Sequence, residues 1–251
     1  MAKVEWQVDG AVRNVLLNRA DKRNALDAEM IAQLKTAFTE RPSASERVAV
    51  IRAAGPVFCA GLDLKERSAR PADASPIEAM LHAIETYPLP VVAVVQGDAI
   101  AGGNELALHC DLVVASTAAR FGMSLAQIGL APSWFLAKKL LEVAGPVTTR
   151  RILLLGDPLP AQRLYDLGVI SHVAEPADLE RVAGSVVERL AHNAPLSLKA
   201  MKALIVREMT FRDQIAHEDI DAMVEEVRRS QDAQEGMGAR LARRKPSFQG
   251  R

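Results

Sequence analysis

Short apolar runs rich in β-branched residues alternate with helical patterns over the first two thirds of the chain. Apolar runs of this kind, bounded by polar or turn-forming residues, are typical of buried strands. Strands that are separated by helices favour parallel pairing in an α/β fold. The predicted strands are Val12–Leu17, Val48–Ile51, Val91–Val95, Leu112–Ala115 and Val169–Val173.

An amphipathic helix is predicted between the first two strands. Asp27 is a suitable N-cap, because its side chain can accept a hydrogen bond from an N–H of the first turn. Apolar residues recur around it at the spacing of one helix face. These residues are Leu26, Met30, Leu34 and Phe38.

From about Asp178 onward the strand pattern stops and helical patterns continue. The transition falls near Asn193-Ala194-Pro195. We therefore predict an α/β core over residues 1–192, followed by a helical C-terminal region over residues 193–251. The predicted helices are Leu179–Ala191, Leu196–Val206, Arg212–Arg229 and Ala233–Arg244.

Composition narrows the class of protein. With 31 basic and 31 acidic residues the chain has no net charge, which does not favour nucleic acid binding. Cys59 and Cys110 provide no disulfide framework and indicate a reducing compartment. The apolar runs are far shorter than the roughly 20 residues of a membrane span, and the N-terminus lacks the apolar core of a secretion signal. We therefore expect a cytoplasmic protein with no membrane segment.

Several common binding motifs are missing from the sequence. Neither the dinucleotide-binding pattern GxGxxG nor the phosphate-binding pattern GxxxxGKS/T is present, so nucleotide sites lack support. His217-Glu218 is not followed by the second histidine of a zinc-binding HExxH helix. The other histidines show no spacing typical of metal ligands, and we predict no metal site.

The segment Ala101–Leu106, AGGNEL, is a candidate for chemistry. A helix that begins at its glycines presents free N–H groups and the positive end of its dipole, which suits negative charge. Glu105 follows Gly102 by three residues and so lies near the same helix face. An N–H donor beside a carboxylate suits enolate chemistry next to a carbonyl. The alternative is an ordinary glycine-rich helix start with a solvated glutamate.

A strand followed by a loop and small residues occurs twice in the chain. Val48–Ile51 leads to Ala60-Gly61, and Val91–Val95 leads to Gly102-Gly103. Two ordinary strand-to-helix turns would give the same pattern, because glycine is common in turns.

Five segments, taken together, resemble the crotonase (enoyl-CoA hydratase/isomerase) superfamily. They occur in the order and at the intervals of that family, and the resemblance spans nearly the whole chain. Each segment alone is only moderately specific. The segments are NRADKRNALD (Asn18–Asp27), VFCAGLDLKE (Val57–Glu66), LPVVAVVQGDAIAGGNELALHCDLVVA (Leu89–Ala115), LGVISHV (Leu167–Val173) and EGMGARLARRKPSF (Glu235–Phe248).

The resemblance implies an α/β spiral of β-β-α units with a helical C-terminal section, through which chains assemble as homotrimers or hexamers. It also implies acyl-CoA thioester chemistry through an enolate whose oxygen is bound by two backbone N–H groups. By motif match these belong to Leu62 and Gly102, and the catalytic carboxylate is Glu105. Coenzyme A is then part of the substrate, and no separate cofactor is expected.

The resemblance also identifies candidate ligand contacts. Segments matching the family's CoA-binding parts imply contacts from Lys22, Ala25, Leu26, Ala60 and Leu64. Arg243 stands where the family often places a basic residue that reaches the CoA phosphates of a neighbouring subunit. The alternative for Arg243 is a solvated residue at a helix end, where positive charge is favourable.

The chain departs from the family at one catalytic position. Hydratases of the family use a second glutamate, and the matching residue here is Leu125, which cannot transfer a proton. Three functions stay open: an enoyl-CoA hydratase or isomerase using Glu105, which we favour, another enolate reaction such as decarboxylation, and a non-catalytic acyl-CoA-binding protein. Trp134 and Phe135 either line the acyl pocket or belong to the core.

Overall fold

The computed structural model of the protein describes residues 2–68 and 76–251. Its strands are β1 (Val4–Asp9), β2 (Val12–Leu17), β3 (Val48–Ala53), β4 (Val91–Val95), β5 (Ala99–Ile100), β6 (Leu112–Ser116), β7 (Arg120–Gly122), β8 (Leu159–Pro160) and β9 (His172–Ala174). A larger sheet has the order β1-β2-β3-β4-β6-β9, and a smaller one has the order β5-β7-β8.

The parallel pairing that the sequence predicts is confirmed. From β2 to β9 the neighbours in the larger sheet run parallel, and β1 adds an antiparallel edge. Every residue of β4 is buried, as expected for a parallel strand that is covered on both faces. The carboxyl ends of β3 and β4 lie at the same edge of this sheet, so the loops that follow them are brought together.

The strand predicted over Val169–Val173 is wrong in its bounds. Val169 and Ile170 are buried, but they lie in a turn where the Val169 N–H donates to the Leu164 carbonyl. Pairing with β6 begins only at His172. The apolar pattern here reflects burial of a turn, which uses its N–H groups locally.

Helices cover the larger sheet and form the C-terminal region. Asp27 caps the first helix as predicted, since its Oδ1 accepts from the Met30 N–H at 2.9 Å. The helices are α1 (Ala28–Thr39), α2 (Leu64–Ser68), α3 (Pro76–Glu85), α4 (Gly102–Leu108), α5 (Trp134–Arg150), α6 (Ala161–Asp166), α7 (Leu179–His192), α8 (Pro195–Glu208), α9 (Glu218–Arg229) and α10 (Gln231–Leu241). None of these helices combines the length and the hydrophobicity needed to cross a membrane.

The C-terminal region is helical as predicted, but the last predicted helix, Ala233–Arg244, ends at Leu241, and another predicted helix is divided. The single helix predicted over Arg212–Arg229 is interrupted, because Met209–Gln214 form a 3-10 helix and Ile215 is extended before α9 begins. His217, which precedes α9, stacks on Trp134 with ring centroids 4.5 Å apart. This contact holds the start of α9 against the start of α5.

Lys202 attaches the C-terminal helices to the larger sheet. Its Nζ, on α8, donates to Asp111 Oδ2 at 2.6 Å and to the Leu89 carbonyl at 3.2 Å. Asp111 Oδ2 also accepts from the Val91 N–H, so α8 is attached where β4 begins. The division into a core over residues 1–192 and a trimerisation region over residues 193–251 stays a prediction.

Candidate active site

The loop after β3 contains a short extended segment, residues 59–63, that is held on one side by Leu26. The Leu26 N–H donates to the Gly61 carbonyl at 2.8 Å, and the Leu26 carbonyl accepts from the Asp63 N–H at 2.9 Å. In such a parallel bridge the intervening residue, Leu62, turns its own N–H away from the partner. The predicted donor is thereby directed away from Leu26.

On its other side the same segment meets the loop that leads into α4. The Cys59 N–H donates to the Asp98 carbonyl at 3.1 Å, and the Ile100 N–H donates to the Cys59 carbonyl at 2.9 Å. A Cβ added to Gly102 would lie 3.5 Å from the Leu62 nitrogen, so the two predicted donor residues are neighbours. Neither N–H has an acceptor among the described residues. An oxyanion hole requires free N–H groups placed together in this way.

Close backbone packing at the start of α4 requires glycine. A Cβ on Gly103 would lie 2.1 Å from the Cys59 carbonyl oxygen, which no side chain can accommodate without movement of the backbone. Ala101, immediately before α4, has φ +51° and ψ −117°, a strained conformation that costs about 1–3 kcal/mol. Strain of this kind clusters at functional sites.

Glu105 lies on α4 near the same face as the Gly102 N–H. Its side chain is fully buried, and neither carboxyl oxygen has a hydrogen-bond partner among the described residues. Burial raises the pKa of Glu105 to about 8, while the charge of Lys139 and the amide of Asn104 act in the opposite direction. A solvated glutamate, the alternative left open by the sequence, is excluded. The carboxyl is mostly protonated at neutral pH and exchanges protons readily near pH 8.

A buried charged cluster on α3 and α5 lies close enough to influence Glu105. Lys139 forms an ion pair with Glu85 and, at 3.1 Å, with Glu142. The three side chains are at most 13% exposed. Lys139 and Glu142 are three residues apart on α5, but Glu85 reaches them from α3, and sequence reasoning misses the cluster because no local spacing connects Glu85 to the other two. In the described residues, no group of three or more His, Cys, Asp and Glu side chains is arranged to hold a metal ion.

Trp134 and Phe135, the first two residues of α5, have different neighbours. Trp134 stacks on His217 of the C-terminal region, whereas Phe135 stacks on His109 with ring centroids 5.2 Å apart. Since His109 Nδ1 is 3.7 Å from Glu105 Oε2, Phe135 lies in the surroundings of the candidate catalytic carboxyl. His109 itself is missed by sequence reasoning, although its four-residue spacing from Glu105 was a visible signal.

The residues predicted to contact coenzyme A differ in accessibility. Lys22 is exposed, and Ala25, Ala60 and Leu64 are half-buried. The Leu26 side chain belongs to the core and is 1% exposed. Only the backbone of Leu26 is therefore available near the site, where it holds the segment 59–63 in place.

The C-terminal helix α10 packs beside the turn that follows Leu125, the position where hydratases of the family have a second glutamate. A Cβ on Gly236 of α10 would lie 2.2 Å from the Ile128 carbonyl oxygen, so α10 is in close contact with the turn Ala126–Ile128. Arg243 follows α10 in a left-handed conformation with φ 55° and is exposed. Its proposed contact with a neighbouring subunit's ligand stays a prediction.

Leu125 is half-buried and packs against the apolar core. The side chain before it, Ser124, is buried, and its Oγ accepts from Arg240 Nη2 of α10 at 3.0 Å. Arg240 has no carboxylate partner among the described residues. The Arg240 guanidinium, which sequence reasoning did not single out, thus lies beside Ser124, the residue before Leu125.

Comparisons with known proteins agree on one family. The family model described as enoyl-CoA hydratase/isomerase matches residues 7–251. The chain is 32% identical to (E)-benzylidenesuccinyl-CoA hydratase of Thauera aromatica, over 98% of this chain and 99% of that protein. It is 31% identical to an enoyl-CoA isomerase/hydratase of Mycosarcoma maydis, over 96% of this chain and 93% of that protein.

Solved structures give the same result. Methylmalonyl-CoA decarboxylase in complex with 2-nitronate-propionyl-CoA superposes with a TM-score of 0.92 at 26% identity, covering 99% of both chains. An enoyl-CoA hydratase of Mycobacterium avium subsp. paratuberculosis superposes with a TM-score of 0.86 at 28% identity, again covering 99% of both chains. These structures share the fold predicted from the sequence.

Proposed function

The chain belongs to the enoyl-CoA hydratase/isomerase family, and we propose that it moves a proton at the α-carbon of an acyl-CoA thioester through an oxyanion-stabilised enolate. The favoured reaction is that of an enoyl-CoA isomerase or hydratase. In this proposal the N–H groups of Leu62 and Gly102 bind the thioester oxygen, and Glu105 is the acid and base. Coenzyme A enters as part of the substrate, and no separate cofactor takes part.

The observation that carries the proposal is one buried carboxyl, without a hydrogen-bond partner among the described residues, on the helix whose first N–H, that of Gly102, lies beside the Leu62 N–H. The N–H groups stabilise the negative charge that develops on the thioester oxygen when the α-proton leaves. A carboxyl with a pKa near 8 is suited to proton transfer near neutral pH, because both of its forms are populated. With leucine at position 125, one carboxyl can still carry a proton between two carbons of the same substrate. Isomerisation therefore needs fewer groups than hydration.

Deuterium uptake tests the proposal. The protein is incubated in deuterated buffer with a panel of saturated and 3-enoyl-CoA thioesters of increasing chain length, and mass spectrometry follows each thioester. We expect deuterium at the α-carbon and conversion of a 3-enoyl thioester to its 2-enoyl isomer. Tight binding without deuterium uptake or conversion of any panel member would identify a binding protein instead.

Decarboxylation of a carboxyacyl-CoA is a second candidate, favoured by Arg240. Loss of carbon dioxide from the α-carbon gives the same enolate, so it uses the same N–H pair and needs no second carboxylate. Arg240, bound to Ser124 at 3.0 Å, offers positive charge to a substrate carboxylate, and a protonated Glu105 would not repel it. The similar methylmalonyl-CoA decarboxylase acts on such a group, as its name states. Release of carbon dioxide from methylmalonyl-CoA, without isomerisation of enoyl thioesters, would decide for this reaction.

We also propose that the chain assembles as a trimer or hexamer through its C-terminal helices. Apolar side chains on and next to α8 and α9 are more than half exposed, and exposed patches of this kind mark contact surfaces. They are Leu196, Met201, Leu204, Ile205, Phe211 and Met223. Light scattering coupled to size exclusion is expected to give three or six times the chain mass of 27.1 kDa. A monomer would contradict the proposal and remove the role of Arg243 in a neighbour's site.

A further inference from the structure

His109 is a buried ionisable residue one helical turn beyond Glu105, at the end of α4. Its side chain has no exposed surface, and its Nδ1 lies 2.8 Å from the backbone carbonyl oxygen of Glu105. The same Nδ1 is 3.7 Å from Oε2 of the Glu105 carboxyl. One ring nitrogen therefore faces both the backbone and the carboxyl of the candidate catalytic residue.

The hydrogen bond to the carbonyl identifies the tautomer of His109. A carbonyl oxygen only accepts, so Nδ1 must carry the hydrogen. Burial lowers the pKa of His109 to about 4, and the charges of Lys139 and Lys138 act in the same direction. The ring is consequently neutral at pH 7, with a proton on Nδ1 and none on Nε2. Nε2 has no hydrogen-bond partner among the described residues.

Packing holds the imidazole in this orientation. Its ring is nearly parallel to that of Phe135, with an angle of 18° between the planes. A ring that is stacked on one face and hydrogen-bonded at one edge has little freedom to swing away. A small rotation of the Glu105 side chain would bring Oε2 into hydrogen-bonding range of the His109 Nδ1–H.

We propose that His109 is a positioning residue, whose single Nδ1–H is shared between the Glu105 backbone carbonyl and the Glu105 carboxylate when that carboxylate has released its proton to the substrate. The inference rests on the proposed function, in which Glu105 cycles between its protonated and ionised forms. A hydrogen bond to the ionised form favours that form. His109 thus makes the base available without itself touching the substrate.

The other charged groups near Glu105 have partners of opposite charge, and they are not altered in the His109 variants proposed as a test. Lys139 of α5 is paired with Glu85 of α3 and with Glu142. Lys138 of α5 donates to Asp213 at 2.6 Å. The Asn104 amide belongs to the same helix as Glu105 and lowers its pKa, so it is kept in every variant. These charged and polar groups are therefore the same in the wild type and in the His109 variants that are compared.

Two substitutions separate the hydrogen bond from packing. His109→Phe keeps an aromatic ring against Phe135 but removes the donor, whereas His109→Asn places an amide N–H near the position of Nδ1. We expect His109→Phe to raise the pKa of Glu105 by about one unit, which lowers kcat/KM at pH 7 about tenfold. Activity should recover as the pH rises. His109→Asn should keep a pH profile close to that of the wild type.

The pH dependence of deuterium uptake and a carbon-13 NMR titration of the Glu105 carboxyl measure this shift independently. A pH profile that is unchanged in His109→Phe would overturn the inference, and so would an equal shift in both variants. If His109→Phe does not fold, His109→Met, which also lacks the donor, takes its place. The NMR titration needs no turnover, so an inactive wild-type protein would refute the proposed function while this inference could still be decided.

Discussion

Glu105→Gln is expected to lower the rate of α-proton exchange by about 10²-fold or more, with little change in thioester affinity. Glutamine has nearly the same shape as glutamate but can neither give nor take a proton at the reacting carbon. Binding should survive, because the proposed donors to the thioester oxygen, the N–H groups of Leu62 and Gly102, belong to the backbone. Deuterium uptake and calorimetric binding of the same thioester separate the two quantities.

Glu142→Gln is the matched control for this substitution. Glu142 is also a buried carboxylate, but it lies on α5 and pairs with Lys139. Its replacement should leave most of the exchange activity in place. Exchange by Glu105→Gln at a rate near that of the wild type would remove Glu105 from the mechanism.

Glu105→Gln should also change how the stability of the protein depends on pH. The pKa of Glu105 is raised to about 8 by burial, against about 4.3 for a free glutamate. Between these values the unfolded chain loses a proton that the folded chain keeps, so the wild-type protein loses stability as the pH rises from 4.3 towards 8. Glutamine does not titrate. Thermal melts from pH 5 to 8.5 should therefore show a smaller decline for Glu105→Gln, and equal declines would contradict the raised pKa.

The larger sheet could be predicted in part from local pattern. Val91–Val95 is fully buried and entirely apolar, and so short an apolar run has few alternatives to a buried strand. Val4–Asp9 escaped prediction because it is an edge strand with mostly exposed side chains. Val169 and Ile170 were wrongly predicted to lie in a strand, because the apolar residues of a turn can also be buried. Local hydrophobicity reports burial, whereas strand pairing depends on a partner elsewhere in the chain.

The candidate site, too, could be predicted only in part from the sequence. Gly102 and Glu105 are close in sequence, so their spacing on one helix could be predicted. The approach of residues 59–63 to α4 depends on two parallel strands ending at the same edge of the sheet, and only the family resemblance indicated it. The protonation state of Glu105 could not be predicted, since its pKa follows from burial in the folded chain and from the charge of Lys139 on a different helix. Arg240 reaches Ser124 across 116 positions of the chain, which no motif reveals.

Leu125→Glu is expected to raise hydration of crotonyl-CoA, by up to about 10²-fold if the new carboxylate is well placed. Addition of water needs one group to hold and deprotonate the water and another to manage the proton at the α-carbon. Glu105 can serve only one of these roles at a time, so the native protein should hydrate simple 2-enoyl thioesters poorly. A second carboxylate at position 125 supplies the missing base.

The surroundings of Leu125 act on such a carboxylate in two opposing ways. Partial burial against the apolar core raises the pKa of a new carboxyl and costs stability. The Arg240 guanidinium, 3.0 Å from the neighbouring Ser124 hydroxyl, favours the ionised form that a base requires. Leu125→Gln, which has the same size but no acid or base function, is the matched control, and thermal melts exclude unfolding. Equal gains in both variants would attribute the effect to polarity alone, and brisk hydration by the unmodified protein would show that a different residue already fills the second role.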